Sequence, residues 1–341
     1  MSPVRVLIVD DSATVRAALK TLLGRQSSIE VVGEAGEGRS AIAQVLRLSP
    51  DVVLMDLEMP GMDGLSAMEH IRSQRPTPIV VVTSRTRRDE VATAFAAVKR
   101  GAVAVFPKPE VPSAWENLAS SLIATLNGLV PRRPDLAPTS QTDTPPPVRR
   151  PFRYLVVGAS TGGPAAVHSL LRALGTGTGL GVAVVQHISA GFEHGLAEWL
   201  ARELAMDIAV ARNGEPLRPE TVRLAPSGAH LILQEGGTLL VDREAPPRNG
   251  HRPSVDELLL SAARSVPLRT AGALLTGMGT DGVEGLATLR RAGGLTLTQN
   301  AESCAVFGMP RAAIELGAAE LVLPPDRIGS YLRCTVLGNS T

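Results

Sequence analysis

Two cysteines, Cys304 and Cys334, are all that 341 residues contain, too few for a disulfide framework or a zinc cluster. That excludes a disulfide-stapled secreted scaffold and suits a reducing cytosol. An excess of charge is also missing: 34 basic residues against 33 acidic ones leave a formal net charge of +1, so nothing draws the whole chain toward nucleic acid or anionic membrane. No unbroken apolar run approaches the roughly 18 residues of a membrane span. The opening MSPVRVLIVDD has an apolar run too short, and too soon acidic, for a signal peptide. The sequence therefore predicts a soluble, cytoplasmic protein without nucleic-acid partners or membrane insertion, long enough for about two domains of roughly 150 residues each.

What is present is a repeat. From residue 1 to about 127, short β-branched runs alternate five times with helical spacing, the strand candidates being residues 4–9, 29–32, 52–55, 79–82 and 102–106. Val15, Ala18, Leu19 and Leu22 keep i, i+3, i+4, i+7 spacing after the first strand, and Trp115, Leu118, Ala119 and Leu122 do so after the last; both are core stripes. Five βα units predict a flavodoxin-like, doubly wound parallel sheet, whose ligands bind beyond the carboxyl ends of the strands. Polar residues gather at those ends. Asp10 and Asp11 end the first strand, Asp56 the third and Thr83 the fourth, while Lys108 follows the fifth. Three crowded carboxylates repel unless a cation neutralises them, and hard oxygen ligands at a partly open site favour Mg²⁺. Asp56 could then attack a phosphoryl group whose oxygens meet the metal, the Lys108 ammonium and the Thr83 hydroxyl. One such Asp alone reads as an N-cap or a solvated loop residue, but the set does not.

The motifs DD at 10–11, MDLEMPGMDG at 55–64, VTS at 82–84 and PKP at 107–109 resemble the receiver domain of two-component response regulators over essentially this whole segment. The resemblance implies that Asp56 accepts phosphate from a histidine kinase, that Asp10, Asp11 and Asp56 hold Mg²⁺, and that Thr83, Phe106 and Lys108 sense the phosphoryl group. Phe106 reads equally well as a buried strand residue. After this domain, residues 1–127, comes a linker at 128–151 with seven prolines between Pro131 and Pro151 and no apolar periodicity, extended and solvated as such segments are. Its P-x-x-P at Pro131 to Pro134 reads as spacer rather than a recognition motif.

Residues 152–341 are organised around YLVVGASTGGP at 154–164, a buried strand, a glycine-rich turn carrying Ser160, and Pro164 where a helix begins. The turn spells G-x-S-x-G, a nucleophile-elbow pattern, and misses the G-x-G-x-x-G dinucleotide fingerprint because Ser160 replaces its second glycine. By itself it could be a nucleophile turn, a phosphate loop or a structural bend. Further strands are expected at 181–186 and 271–276, ending in His187 and in GMGTDG with Asp281. Residues 208–242 read as short antiparallel hairpins inserted in the α/β pattern, and Ser254-x-x-Glu257 as a capping box. Because the carboxyl ends of a parallel sheet share one edge, Ser160, His187 and Asp281 can converge as nucleophile, base and orienting acid, with glycine-turn N–H groups receiving an oxyanion. The alternative for Asp281 is a helix N-cap. Among the rival histidines, His168, His194, His230 and His251, only His251 in HRPSVD reads as a cleft residue; His168 is expected on a surface.

The order Ser, His, Asp departs from that of α/β-hydrolases. GASTGG at 158–163, QH at 186–187, HRPSVD at 251–256, LLTGMGTDG at 274–282 and QNAESCAVFGMPRAAI at 299–314 resemble the catalytic domain of the chemotaxis protein-glutamate methylesterases across nearly the whole second half. The resemblance implies a serine hydrolase with Ser160, His187 and Asp281 as its triad, Thr161, Gly162 and Met278 supporting the site, and no cofactor for the ester reaction. Its substrates would be glutamate methyl esters on chemoreceptors, and receptor glutamines, hydrolysed under control of receiver phosphorylation. A DNA-binding output half is disfavoured by the lack of a compact basic helix-turn-helix, and a dinucleotide enzyme by the missing glycine.

Overall fold

The computed structural model describes residues 2–84, 88–129 and 150–338, with side chains of 88–93 and 112 excepted. The chain divides into two units, Met1–Arg133 and Pro134–Thr341. The P-x-x-P motif and most of the expected linker lie outside the described residues. The described chain of the first unit runs helical to Leu129, two residues past the expected domain end, and at Arg150 the backbone N–H already donates to Thr335 O at 3.1 Å within the second.

In the first unit, β1 (Val4–Val9), β2 (Ile29–Ala35), β3 (Val52–Met55), β4 (Ile79–Thr83) and β5 (Ala102–Pro107) alternate with α1 (Ala13–Leu23), α2 (Gly38–Leu48), α3 (Gly64–Gln74), α4 (Arg88–Lys99) and α5 (Trp115–Leu129). The strands form one parallel sheet in the order β2-β1-β3-β4-β5, so the flavodoxin-like expectation holds. Side chains alternate between the sheet faces: Val6, Ile8, Val52, Leu54, Val80 and Val82 pack in one cluster with Leu19 and Leu23 of α1 and Leu118, Leu122 and Leu126 of α5. Of the helical stripes read from the sequence, Leu19, Leu118 and Leu122 lie in this cluster and Val15 and Trp115 pack against it. Burying a leucine such as Leu122, fully enclosed here, stabilises the fold by roughly 1.5–3 kcal/mol. Helix starts are fixed locally, by Ser12 Oγ accepting from Val15 N at 3.4 Å and Asp63 Oδ1 from Ser66 N at 2.7 Å.

The second unit contains β6 (Tyr154–Ala159), α6 (Gly163–Leu174), β7 (Gly181–Gln186), α7 (Glu193–Leu204), β8 (Asp207–Val210), β9 (Glu215–Pro216), β10 (Thr221–Leu224), β11 (His230–Leu233), β12 (Thr238–Asp242), α8 (Val255–Ser265), β13 (Thr270–Leu274), α9 (Val283–Arg291), β14 (Leu295–Gln299), α10 (Met309–Glu315), β15 (Leu321–Leu323) and α11 (Pro325–Leu337). Seven strands form a parallel sheet in the order β15-β14-β13-β6-β7-β10-β8, and a small antiparallel sheet has the order β11-β12-β9. The inserted hairpin is present, but residues 208–242 are not all hairpin. β8 and β10 pair in parallel with each other, and β10 with β7, extending the main sheet. Alternating apolar residues announce a four-residue strand without naming its partner, and no helix separates β8 from β10 to signal a parallel return. The chain leaves β6 first toward β7 and later returns to β13 on its other side. That reversal opens a crevice beyond the carboxyl ends of β6 and β13, the place where open α/β sheets bind ligands.

Candidate active site

Three loops meet at that crevice. β6 ends in Ala159, β7 in Gln186 opposite it, and β13 in Leu274 opposite Gly158, so Ser160, His187 and the loop carrying Asp281 issue from adjacent strands. The turn after β6 is tight: Ser160 N donates to Thr276 O at 3.0 Å, Gly163 N to Ser160 O at 2.8 Å, and Thr276 Oγ1 to Thr161 O at 2.9 Å. Gly162 takes φ +79°, and a Cβ there would lie 2.5 Å from Ala305 Cβ, so glycine is required for both conformation and room. Among the described residues, the N–H groups of Thr161 and Gly162 have no acceptor within the chain. They stand at the N-terminus of α6 beside the Ser160 hydroxyl, where a developing negative charge is stabilised.

His187 follows β7, its N–H donating to Ala159 O at 2.9 Å. Its Nε2 lies 2.9 Å from Asp281 Oδ2, while its Nδ1 is buried without a hydrogen-bond partner. Ser160 Oγ is therefore brought to the same sheet edge as the imidazole but is not hydrogen-bonded to it, a common state of catalytic pairs without substrate. The ring of His187 stacks on that of His251, centroids 4.1 Å apart and planes 3° from parallel. His187, His251 and Asp281 bring ligand atoms within 4.8 Å of one another, yet a metal lies in the plane of each imidazole that binds it. Two face-to-face rings cannot share one ion.

Asp281 is almost fully enclosed and is not the N-cap of the helix that follows it; Gly282 holds that position. Its carboxylate instead takes the N-terminal donors of α8. Oδ1 accepts from Ser254 Oγ at 2.8 Å and Asp256 N at 3.0 Å, and Oδ2 from Val255 N at 2.8 Å as well as from His187. Asp256 returns the arrangement by accepting from Gly285 N of α9 at 2.7 Å. Burial alone would raise the Asp281 pKa, but the His187 hydrogen bond and those of Asp256, Val255 and Ser254 outweigh it and hold the pKa at about 2. Burial, and then the neighbouring His187, push the His251 pKa down against the opposing pull of Asp281.

The remaining expected residues fall as follows. Met278, two-fifths exposed, stands on the β13–α9 loop with Asp281. His194 is exposed, and His230 is buried between Ser254 N and Pro246 O. His168 is not the surface residue expected: half-buried on α6, its ring centroid lies 5.2 Å from that of Trp199, because α7 packs over it. Cys304, pushed up to about 12 by burial despite a hydrogen bond with Thr276, supplies no thiolate to the site. A groove of about 760 Å³ passes Thr280, Val283, Glu284 and Leu316 but includes none of Ser160, His187 and Asp281. For two residues inside motifs read from the sequence, the contacts they make are not legible there. Gln186 reads as the last residue of a strand, and Ser254 only as a helix cap, since nothing local announces a bond to a partner 26 or 27 positions away.

In the first unit, Asp10, Asp11 and Asp56 bring carboxylate oxygens within 4.8 Å of one another. Lys108 Nζ bridges Asp10 Oδ2 at 2.7 Å and Asp56 Oδ2 at 2.5 Å. Burial raises the Asp10 pKa and Lys108 opposes that shift; burial lowers the Lys108 pKa, but its two carboxylate partners more than compensate and leave it raised. Lys108 N donates to Thr83 O at 2.8 Å. Phe106, half-buried beside Val82, packs against the α1–α5 core, so both readings of it remain compatible with its place.

Comparison with known proteins agrees with both halves. Residues 155–332 match the CheB methylesterase family and residues 6–118 the response regulator receiver domain. A protein-glutamate methylesterase/protein-glutamine glutaminase of Geobacter metallireducens is 41% identical over 96% of this chain and 98% of its own. One from Anaeromyxobacter dehalogenans is 43% identical over 97% and 96%. The crystal structure of the Thermotoga maritima CheB methylesterase catalytic domain, 34% identical, superposes with a TM-score of 0.50, covering 53% of this chain and 97% of that one.

Proposed function

The chain belongs to the CheB methylesterase family, with a response regulator receiver domain ahead of the catalytic domain, and from that premise we propose that Ser160, His187 and Asp281 hydrolyse glutamate methyl esters on chemoreceptors. The observation that carries the assignment is the 2.9 Å contact between His187 Nε2 and Asp281 Oδ2 at the sheet edge that also bears Ser160. With Nε2 engaged by the acid, Nδ1 is the atom left to act as base. Ser160 Oγ adds to the ester carbonyl carbon and its proton passes to Nδ1. The oxyanion draws on the N–H groups of Thr161 and Gly162, and the imidazolium returns the proton to the departing methoxide oxygen, releasing methanol. Water, deprotonated by the same nitrogen, then hydrolyses the acyl-serine to glutamate. With a glutamine substrate, ammonia replaces methanol as the first product. Asp281 keeps its charge throughout and stabilises the imidazolium, while Met278, exposed on the same loop, supports the site.

Asp56 is the phosphoacceptor of the receiver and a histidine kinase its donor. The buried Asp10 with its raised pKa, beside Asp56 and Asp11, is the donor set of a hard divalent cation, and the residues fit Mg²⁺. Bound there, Mg²⁺ would neutralise phosphoryl oxygens during transfer. Lys108 holds the carboxylates together before it and meets the phosphoryl group afterwards, with Thr83 and Phe106 responding. Methanol release from methylated receptors of the same cell, with and without a small phosphodonor, tests substrate and regulation together. Release that rises with phosphodonor supports both, and no release in either condition contradicts the substrate.

No helix among the described residues is long and apolar enough to cross a membrane. Work at the cytoplasmic ends of receptors fits the composition, and we place the protein in the cytoplasm on that ground.

A further inference from the structure

The pairing of β6 with β7 closes with His187 N donating to Ala159 O; that bond joins the base itself to the residue just before Ser160, and past it the two chains part. One side chain spans the gap. Gln186, 6% exposed, donates from Nε2 to Ser160 O at 2.8 Å and to His187 O at 2.9 Å. Two carbonyl acceptors on one nitrogen fix which end of the amide is which, since the opposite orientation would set three oxygens against one another. Its Oε1 is buried and unpartnered, a cost that an apolar side chain filling the same space would not incur. The turn is built around this amide. A Cβ on Gly163 would stand 2.0 Å from Gln186 Oε1, so the second glycine of the turn is the one residue that leaves the amide its place.

Resting on the serine-hydrolase reading above, we propose that Gln186 is a positioning residue that sets the distance and angle between the Ser160 nucleophile and the His187 base by clasping their carbonyls. It touches no reacting atom. Its effect is on the approach of Oγ to Nδ1, which a shift of about 1 Å can change by about 10²-fold in rate. Gln299, also at a strand end, bridges loops as well, donating to Ser303 O at 2.8 Å and accepting from Thr276 N at 2.8 Å, but neither partner belongs to the triad, and its Oε1 is satisfied where that of Gln186 is not.

The test uses the full-length chain with Gln186→Met, which keeps length and burial but removes both donors, and Gly163→Ala, which leaves Gln186 in place and displaces its amide. For each, kcat and KM for methanol release are measured beside the rate of Ser160 phosphonylation by a fluorophosphonate, with the labelled fraction counting competent sites. In both variants we expect kcat per competent site and the phosphonylation rate to fall together, about 10- to 100-fold, with KM within about twofold. Wild-type kcat per labelled site, whether the labelled fraction is full or reduced by misfolding, overturns the proposal. So does a rise in KM at unchanged kcat. Wild-type protein that is not phosphonylated at Ser160 would instead overturn the hydrolase reading on which this one rests.

Discussion

His187 meets Asp281 through Nε2, 2.9 Å from Oδ2, and keeps Nδ1 buried and unpaired. The acid thus fixes which nitrogen carries a proton at rest. Asp281→Asn leaves the shape and removes the charge, so its amide can present a donor to Nε2 and favour the wrong tautomer. Turnover should fall about 10⁴-fold with little change in KM. Methanol-release kinetics on folded variant check this; a loss under tenfold would contradict the role of the carboxylate.

The same four hydrogen bonds make Asp281 a pH-dependent part of the fold. Its native pKa of about 2 lies below the unfolded value of 3.8, so its contribution is complete above about pH 4 and is lost as pH falls through 2. The difference is worth about 2 kcal/mol. Denaturant unfolding from pH 6 to pH 2 should show a steeper acid loss in wild type than in Asp281→Asn. Parallel curves would mean that the carboxylate is not held as the geometry implies.

His251 lies flat on His187. Stacked rings contribute roughly 0.5–1.5 kcal/mol beyond burial, enough for up to about tenfold in rate if the stack holds the base in line. His251→Ala should lower kcat by about that factor and His251→Phe should restore most of it. Because its pKa is lowered, native His251 resists protonation just below pH 6.5, where the unfolded chain accepts the proton; stability declines there as pH drops, and His251→Phe should remove that part of the decline. Equal kcat in Ala and Phe variants would reduce the stack to packing.

In the receiver, acetyl phosphate with Mg²⁺ should label wild type and not Asp56→Asn. Lys108 occupies the space between Asp10 and Asp56 as a competing cation, so Lys108→Ala should bind Mg²⁺ more tightly. Affinity should weaken as pH falls toward the raised pKa of Asp10, because protonation removes a ligand. Calorimetric titration checks both directions, and weaker Mg²⁺ binding by Lys108→Ala would reverse the account of that lysine.

Much of this architecture is written locally. Val52–Met55 and Gly181–Gln186 coincide with the strands expected, and Ser254 caps α8 as expected, but the box does not close: Glu257 pairs with Arg248, and the Ser254 N–H donates to His230 Nδ1 instead. What the sequence leaves out depends on partners far along the chain. The four-residue runs of β8 and β10 carry strand propensity but no statement of neighbour. Asp281, in a glycine turn before a helix, has the local look of a cap for α9, and its bonds to the start of α8 arise only when the two helices pack. Gln186 is one more strand residue until Ser160 is placed beside it.

The most direct measurement of the central claim is methanol release from methylated receptors by wild type and by Ser160→Ala at matched, verified folding. Loss of the nucleophile from a cooperative hydrolytic unit should lower turnover by about 10⁴- to 10⁶-fold while leaving the receiver able to accept phosphate. A folded Ser160→Ala protein that still releases methanol at a rate near that of wild type would contradict the account.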